Sequence, residues 1–210
     1  MKTANFSELI KIAALQLFRE KGFSNVSTRD LTQKMNISRS HIYHYYRDWE
    51  TLKKSTIQYM FENDIQECHA FLNASEKMSA SERVNLYIRT LLPDAPSAHW
   101  LLYLELWPMA ARDADYAKLV HDHSLQWITI LEGIISVGMQ EGEFLAENAA
   151  TSARQINTLI DGYSSLLILD YSEDRRSIFL NEISELAFKI LKRISEWVKQ
   201  GSVSVNPFLY

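Results

Sequence analysis

The chain has 210 residues, of which 47% are apolar and 23% charged, an ordinary globular balance that excludes disorder over its whole length and leaves room for one or two domains. Six Gly and four Pro exclude collagen-like and low-complexity chains, disfavour a many-stranded, turn-rich one, and point to long helices. Net charge is −4, yet residues 1–55 hold ten basic and five acidic side chains and the remainder 12 and 21, so a head of +5 precedes a body of −9.

Phe6, Leu9, Ile10, Ala13, Leu17 and Phe18 recur at the i, i+3, i+4, i+7 spacing of a helix face. Gly22 is the natural stop, because Gly enters left-handed backbone at little cost. Ser27 to Asp30 reads as the Asp variant of a capping box. It opens a second helix that buries Leu31 and Met35 and ends at Asn36, which tolerates the left-handed region. Ser38 caps a short third helix, and Asp48 opens a long one carrying Leu52, Tyr59 and Leu72. Further helices are expected at Ser79–Leu92, closed by Pro93 and Pro96, and at Ala98–Arg112, kinked or ended by Pro108. Asp115–Glu141 follows, with His123, Trp127, Ile130 and Ile134 on one face and Gly142 as its stop. Asn148–Tyr171 and Ser177–Lys199 come last, separated by the polar stretch 172–176. No internal repeat and no strand-period segment is visible.

The fold expected is all-α. Residues 1–52 form a three-helix, helix-turn-helix head, 53–200 a larger helical body, and 201–210 a loose tail. The single cysteine, Cys68, forms no internal disulfide and is expected to be a buried structural thiol, which suits a reducing compartment. No uncharged apolar run reaches about 18 residues. Glu8 and Lys11 break the first apolar stretch, so neither a membrane span nor a signal peptide is expected and the cytoplasm is the expected location.

Two short helices joined by a tight turn at Asn36, behind a supporting first helix, have the layout of a DNA-binding helix-turn-helix, with the third helix as reader. Ile42 and Tyr46 should pack inward with Ile37 and Leu52. The opposite face carries Ser40, Tyr43, His44 and Arg47, all able to donate hydrogen bonds and none acidic. Phosphates and base edges require such groups. Arg39 and His41 stand near the helix start, and the free amides after Ser27 and Ser38 can hold a phosphate. Polar faces on three-helix units are also common amphipathic surface, so periodicity alone leaves the two readings level.

The ensemble Phe18 through Phe23, Ser27-Thr28-Arg29-Asp30-Leu31, Asn36-Ile37-Ser38, Ile42 through Tyr46, and Glu50 with Leu52 resembles the N-terminal domain of the TetR family of bacterial transcriptional regulators. The departures are Asn36 for a turn glycine, Ser40 at the usual small position after the cap, Tyr46 for phenylalanine, and Trp49 for a lysine that commonly contacts phosphate in the family. Lys53 or Arg47 would take over that contact. The resemblance implies a double-stranded, near-palindromic DNA operator met by Ser27, Thr28, Arg29, Ser38, Arg39, Ser40, His41, Tyr43, His44, Arg47 and Lys53. It also implies a body with an effector cavity and a dimer interface, and repression as the commoner mode. Trp100, Glu105, Trp107, Arg112-Asp113, Trp127 and Gly142-Glu143-Phe144 resemble the body of the choline-responsive BetI-type subgroup.

Trp100, Tyr103 and Trp107 share a helix face and, with Trp127 and Tyr163, are the expected lining of a small-molecule effector cavity. Met109 and Met139 are expected in the same region, while Glu105 stands two positions off the stripe. The BetI-type resemblance implies a cation held by ring faces; core packing is the competing reading of the same aromatics. Ile156, Leu159, Ile160, Tyr163, Leu166 and Leu167, with Phe179, Ile183, Leu186, Ile190, Ile194 and Trp197, give the last two helices faces wide enough for a homodimer. Gly162, Ser164, Ser165 and Ala187 are small enough to permit close approach there.

The glycines, at 22, 133, 138, 142, 162 and 201, make no P-loop and no dinucleotide turn, and there is no nucleophile elbow. His121 and His123, two apart on a helix, face different ways and are expected to be partly exposed. No catalytic, metal or cofactor site is therefore expected. The alternative is a helical small-molecule carrier or enzyme whose head does not bind DNA. A carrier has no use for the reader face of Ser40, Tyr43, His44 and Arg47.

Overall fold

Side-chain caps set where the helices begin. Asn5 Oδ1 accepts the Glu8 amide at 2.9 Å and opens α1 (Phe6–Lys21). Ser27 and Asp30 form a reciprocal capping box for α2 (Thr28–Met35), and Ser38 caps α3 (Arg39–Tyr45) through the His41 amide at 3.2 Å. Asp48 accepts the Thr51 amide at 2.7 Å ahead of α4 (Trp49–Ala74). Each such cap satisfies amides that the helix itself leaves free. Five helices follow: α5 (Ala80–Leu91), α6 (Ala98–Ala110), α7 (Ala114–Gln140), α8 (Ala149–Leu169) and α9 (Glu173–Leu191). The computed structural model describes residues 5–74 and 77–192, and among them these nine α-helices and the short 3₁₀ turn Phe23–Asn25 are the regular elements.

The turn chemistry follows the sequence. Gly22 has φ 84° where α1 stops, and Asn36 takes φ 53°, ψ 48° between α2 and α3. Pro108 lies inside α6, which continues to Ala110. The last helix differs from expectation. It starts at Glu173 rather than Ser177, because Ser172 Oγ accepts the Arg175 amide at 3.1 Å and Glu173 and Asp174 fill the first turn. Two acids there face the positive end of the helix dipole. The polar stretch read as a separator is therefore the helix start. The expected end of this helix, Ile194 and Trp197 with it, and the tail at 201–210 lie outside the described residues.

Two apolar cores form. The first joins Ile10, Phe18, Leu31, Ile42, Leu52, Met60 and Phe61 from α1–α4 to Leu102, Leu106 and Tyr116 from α6 and α7. The second joins Cys68 and Leu72, at the far end of α4, to α5, α7, α8 and α9. Helix α4 runs unbroken past residue 52 and belongs to both. Gly138 permits one close approach: a Cβ there would stand 2.3 Å from the buried Phe144 ring. That seats the Gly142–Phe144 turn, so Glu143 accepts the Ala80 and Ser81 amides at 2.8 and 3.0 Å and caps α5.

Candidate nucleic-acid interface and effector cavity

The reader helix α3 is fixed from behind and open in front. Ile42 is fully buried and Tyr46 is 6% exposed; Tyr46 Oη donates to the Ser7 carbonyl at 2.9 Å. Arg39, Ser40, His41, Tyr43, His44 and Arg47 are all exposed, as are Ser27, Arg29 and Ser38. Thr28 Oγ1 lies 3.4 Å from Tyr43 Oη, so the start of α2 and the reader present one surface. The His41 ring stacks on Phe6 at 4.5 Å, which ties the reader's first turn to α1. Tyr45, which helical spacing did not single out, is as exposed as Tyr43 and stacks with His41 at 6.0 Å. Lys21 and the Ser27 hydroxyl bind Asp30 and hold its carboxyl far below the usual range, so the one acid of α2 is spent on capping.

One expected contact is corrected. The Lys53 side chain is only 12% exposed; its Nζ pairs with Glu50 at 2.9 Å and sits 4.8 Å above the Phe23 ring. It faces the head's own core edge instead of a phosphate. Arg47 lies just past the end of α3 instead of on its face; it is 86% exposed, with Nε bound to Asp48 at 2.9 Å, and is the exposed cation at that position. Trp49 stands edge-on to Phe18 at 6.5 Å and so fills apolar space.

A cavity of about 410 Å³ opens between α4, α6, α7 and α8, with the end of α5 and the following loop closing one side. Trp100, Tyr103, Trp107 and Trp127 line it, as expected. Tyr163 does not: its ring packs edge-on against Phe179 at 4.8 Å, between α8 and α9. Met109 packs on the first core and Met139 on the second. The lining also holds Asp64, Glu67, Asp94 and Asp161 against a single arginine, Arg89.

A hydrogen-bond chain crosses one wall. Tyr103 Oη donates to Asp64 Oδ2 at 2.5 Å and lies 3.1 Å from His123 Nε2. The Trp127 indole N–H donates to the same His123 Nε2 at 2.9 Å. Indole nitrogen only donates, so Nε2 carries the lone pair and the ring proton sits on Nδ1. Nδ1 has no partner. His123 is 6% exposed, a correction to the partly exposed position expected, and burial, with His99 nearby, lowers it to about 3. His99 accepts from Arg19 at 2.9 Å and places its other nitrogen 3.6 Å from Asp64; burial and then Arg19 bring it down to about 4. Burial pushes Asp64 up to about 7, and Asp161, beside the Asn157 amide at 3.4 Å, up to about 6. Cys68, also on the wall, is pushed by burial to about 11, so it stays a thiol. Among the described residues, no group of three or more His, Cys, Asp or Glu side chains could hold a metal ion, and no helix is long and apolar enough to cross a membrane.

Residues 12–54 match the family model described as bacterial regulatory proteins, tetR family, and residues 80–176 match the C-terminal domain of BetI-type transcriptional repressors. The chain belongs to the TetR family. Among solved structures, a TetR transcription regulator from Haloarcula marismortui superposes with a TM-score of 0.78 at 20% identity, over 88% of this chain and 97% of that one. The reduced form of NemR from E. coli gives 0.73 at 15%, over 86% and 96%. A transcriptional regulator from Saccharomonospora viridis in complex with choline gives 0.68 at 18%, over 86% and 94%. At these identities the likeness is one of fold. No curated protein matches the chain.

In this TetR-family chain the DNA-binding head and the cavity share a seam. Glu105 of α6 accepts the Phe23 amide at 2.7 Å, in the turn just after Gly22. Six residues before Glu105, His99 binds Arg19 of α1, and two residues after it Trp107 lines the cavity. Lys54 of α4 pairs with Asp115 of α7 at 2.6 Å, and Tyr116 stands edge-on to Phe23 at 5.9 Å. Helical spacing left Glu105 unassigned, because its partner is a backbone amide 82 residues away.

Proposed function

We propose that this TetR-family regulator is a cytoplasmic repressor that holds a near-palindromic operator as a homodimer and leaves it when a small organic cation fills the cavity. The observation that carries the reading is α6: one helix supplies Trp100, Tyr103 and Trp107 to the cavity and, through Glu105, a hydrogen bond to the head's backbone. A ligand that repacks α6 and α4 then alters the set of the reader helix. The ligand must favour the released state by its own differential affinity, since equal affinity shifts nothing.

Ring faces and an excess of carboxylates over arginine in the lining favour a cation, and the choline bound to the S. viridis regulator supports the same class. For the dimer, Leu166 and Leu169 on α8 and Ile178 on α9 are 51%, 74% and 54% exposed, which leaves apolar surface for a second copy. Gly162 has open space beside it. Ser164 and Ala187 lie inside the chain instead, Ser164 donating to the Leu91 carbonyl at 2.9 Å. Two copies joined there would set their readers in successive major grooves about 34–36 Å apart.

The test combines sedimentation, gel shift and transcription. The expected results are a dimeric mass at micromolar concentration, duplex binding that weakens steeply with salt, and raised transcription of neighbouring genes when the regulator gene is deleted. Lowered transcription would make it an activator. Ligand binding with no duplex binding even at low salt would favour the carrier reading.

A further inference from the structure

We infer that the cavity is built for a diamine: a molecule with a protonated, hydrogen-bearing nitrogen at each end, one held by Asp64 on α4 and the other by Asp161 on α8. The inference rests on the reading of this cavity as the effector site and narrows its ligand.

The charge of the lining comes first. Four carboxylates and one arginine line it. Neither histidine offsets the acids, because His99 accepts from Arg19 and His123 accepts from Trp127, and burial keeps both neutral. Asp64 and Asp161 stand on separate helices, and neither has a lysine or arginine within ion-pair distance among the described residues. Asp64 has the Tyr103 hydroxyl at 2.5 Å and neutral His99 at 3.6 Å; Asp161 has the Asn157 amide at 3.4 Å. Each carboxylate therefore keeps lone pairs to give. A single cation would satisfy one and leave the other as a desolvated charge, which is costly unless paired.

The nitrogen must bear hydrogen. A desolvated carboxylate gains most from a charge-assisted N–H bond, and a quaternary nitrogen has no hydrogen to donate. The rings of Phe61, Trp100, Tyr103 and Trp127 supply the apolar wall that a methylene chain needs.

Proton linkage follows from the same geometry. Glu67, Cys68, Asp94, Arg89, Tyr103 and the two neutral histidines are the other titratable groups on the lining, with Arg19 behind His99. Desolvation pushes Asp64 to about 7 and Asp161 to about 6, so both are partly protonated at pH 6. A diammonium needs both ionised. Its binding should release protons at pH 6 and tighten as pH rises toward 8, where alkyl amines are still charged.

Isothermal titration of the full-length protein with putrescine, cadaverine, hexamethylenediamine, hexylamine, hexamethonium and choline tests this, at pH 6 and 8 and in two buffers of different ionisation enthalpy. The best diamine should bind about tenfold to a hundredfold tighter than hexylamine, hexamethonium or choline, and protons should leave at pH 6. Asp64→Asn and Asp161→Asn should each bring the diamine down to the affinity of hexylamine. The ligand series on the unmodified chain decides the matter even where a variant folds poorly. Hexylamine equal to the best diamine, or choline or hexamethonium tighter than every diamine, overturns the inference. So does diamine binding without proton release at pH 6. Gel shifts on the same samples separate the two readings. Diamine binding without DNA release leaves the ligand class standing and sinks the switch. DNA binding without diamine binding does the reverse.

Discussion

The head and the cavity put their chemistry on opposite sides of their helices. On α3 the structural residues point in and the functional ones point out: Ile42 is fully buried while Tyr43 is 42% exposed. In the body the groups that would touch a ligand are also the groups that hold the fold. Trp127 is 7% exposed, packs edge-on to Tyr87 at 6.0 Å and donates to His123. The difference teaches that recognition and stability can be changed separately in the head but are coupled in the cavity wall.

The largest effect that sharpens this contrast is on the wall. Trp127→Ala should cost about 3–5 kcal/mol of unfolding free energy, for the lost volume and the unpaired His123 Nε2. Trp107→Ala, at a side chain 54% exposed, should stay within about 1 kcal/mol in stability yet abolish the response to ligand. Denaturant titration of both variants checks the pair. Equal stability losses would erase the distinction between a structural and an exposed part of the wall, and an untouched ligand response in Trp107→Ala would remove the cavity from the switch.

The next effect is a pH slope. The Asp64 carboxyl sits at about 7 in the folded state against an ordinary 3.8. Between those values the folded chain binds more protons than the unfolded one. Stability from this group is therefore full below about pH 4 and is lost as pH rises toward 7. His123, near 3 against an ordinary 6.5, slopes the other way, its contribution being present above 6.5 and lost as pH falls. The Asp64→Asn variant removes only the first slope. Its stability relative to the parent should climb by about 1–3 kcal/mol from pH 4 to 7. A flat difference over that window would show that Asp64 is not held protonated by burial.

In the head the expected change is in binding alone. Tyr43→Ala or Arg47→Ala should weaken duplex affinity roughly tenfold on any sequence, whereas Arg39→Ala or His41→Ala should also relax base preference. Melting temperatures should stay put for Tyr43 and Arg47, whose side chains cover no core. Anisotropy with matched and scrambled duplexes reads both. A fall in melting temperature equal to the binding loss would break the head-against-wall contrast.

The same contrast explains what the sequence disclosed. Caps and turns act over three or four residues, so Ser27-Asp30, Asn36, Ser38 and Asp48 were legible directly, and so was the outward face of α3. Ser172 was legible by the same rule but was read as a spacer, since the acids after it carry no apolar period. The cavity aromatics were half legible. Trp100, Tyr103 and Trp107 show their shared face, but Tyr163 has the same signature and packs on Phe179 instead. Asp64 and Asp161 gave no signal, since an acid on a helix with a polar face looks solvated until the fold sets another helix over it. Lys53 misled for a related reason: a lysine near the head reads as a phosphate contact until Phe23 and Glu50 are seen beneath it.

The smallest effect tests the seam between the two regions. Glu105 accepts the Phe23 amide at 2.7 Å, and its carboxylate stands 3.3 Å from where a Cβ on Gly22 would be. Glu105→Gln keeps an oxygen for that amide and removes the charge. A hydrogen bond to a charged group contributes about 1.5–3 kcal/mol and a neutral one about 0.5–1.5, so stability should fall by roughly 1 kcal/mol or less. Reader residues are untouched, and operator affinity without ligand should hold. The coupling should not. If α6 carries the cavity's state to the head through this bond, the ratio of operator affinities without and with saturating ligand should drop about threefold to fivefold, a loss within the usual range of allosteric coupling. Glu105→Ala, which removes the acceptor altogether, should drop it further. Operator anisotropy at saturating ligand measures the ratio in all three proteins. An unchanged ratio in both variants would mean that α4 and α7, the helices shared by both cores, transmit the signal without α6.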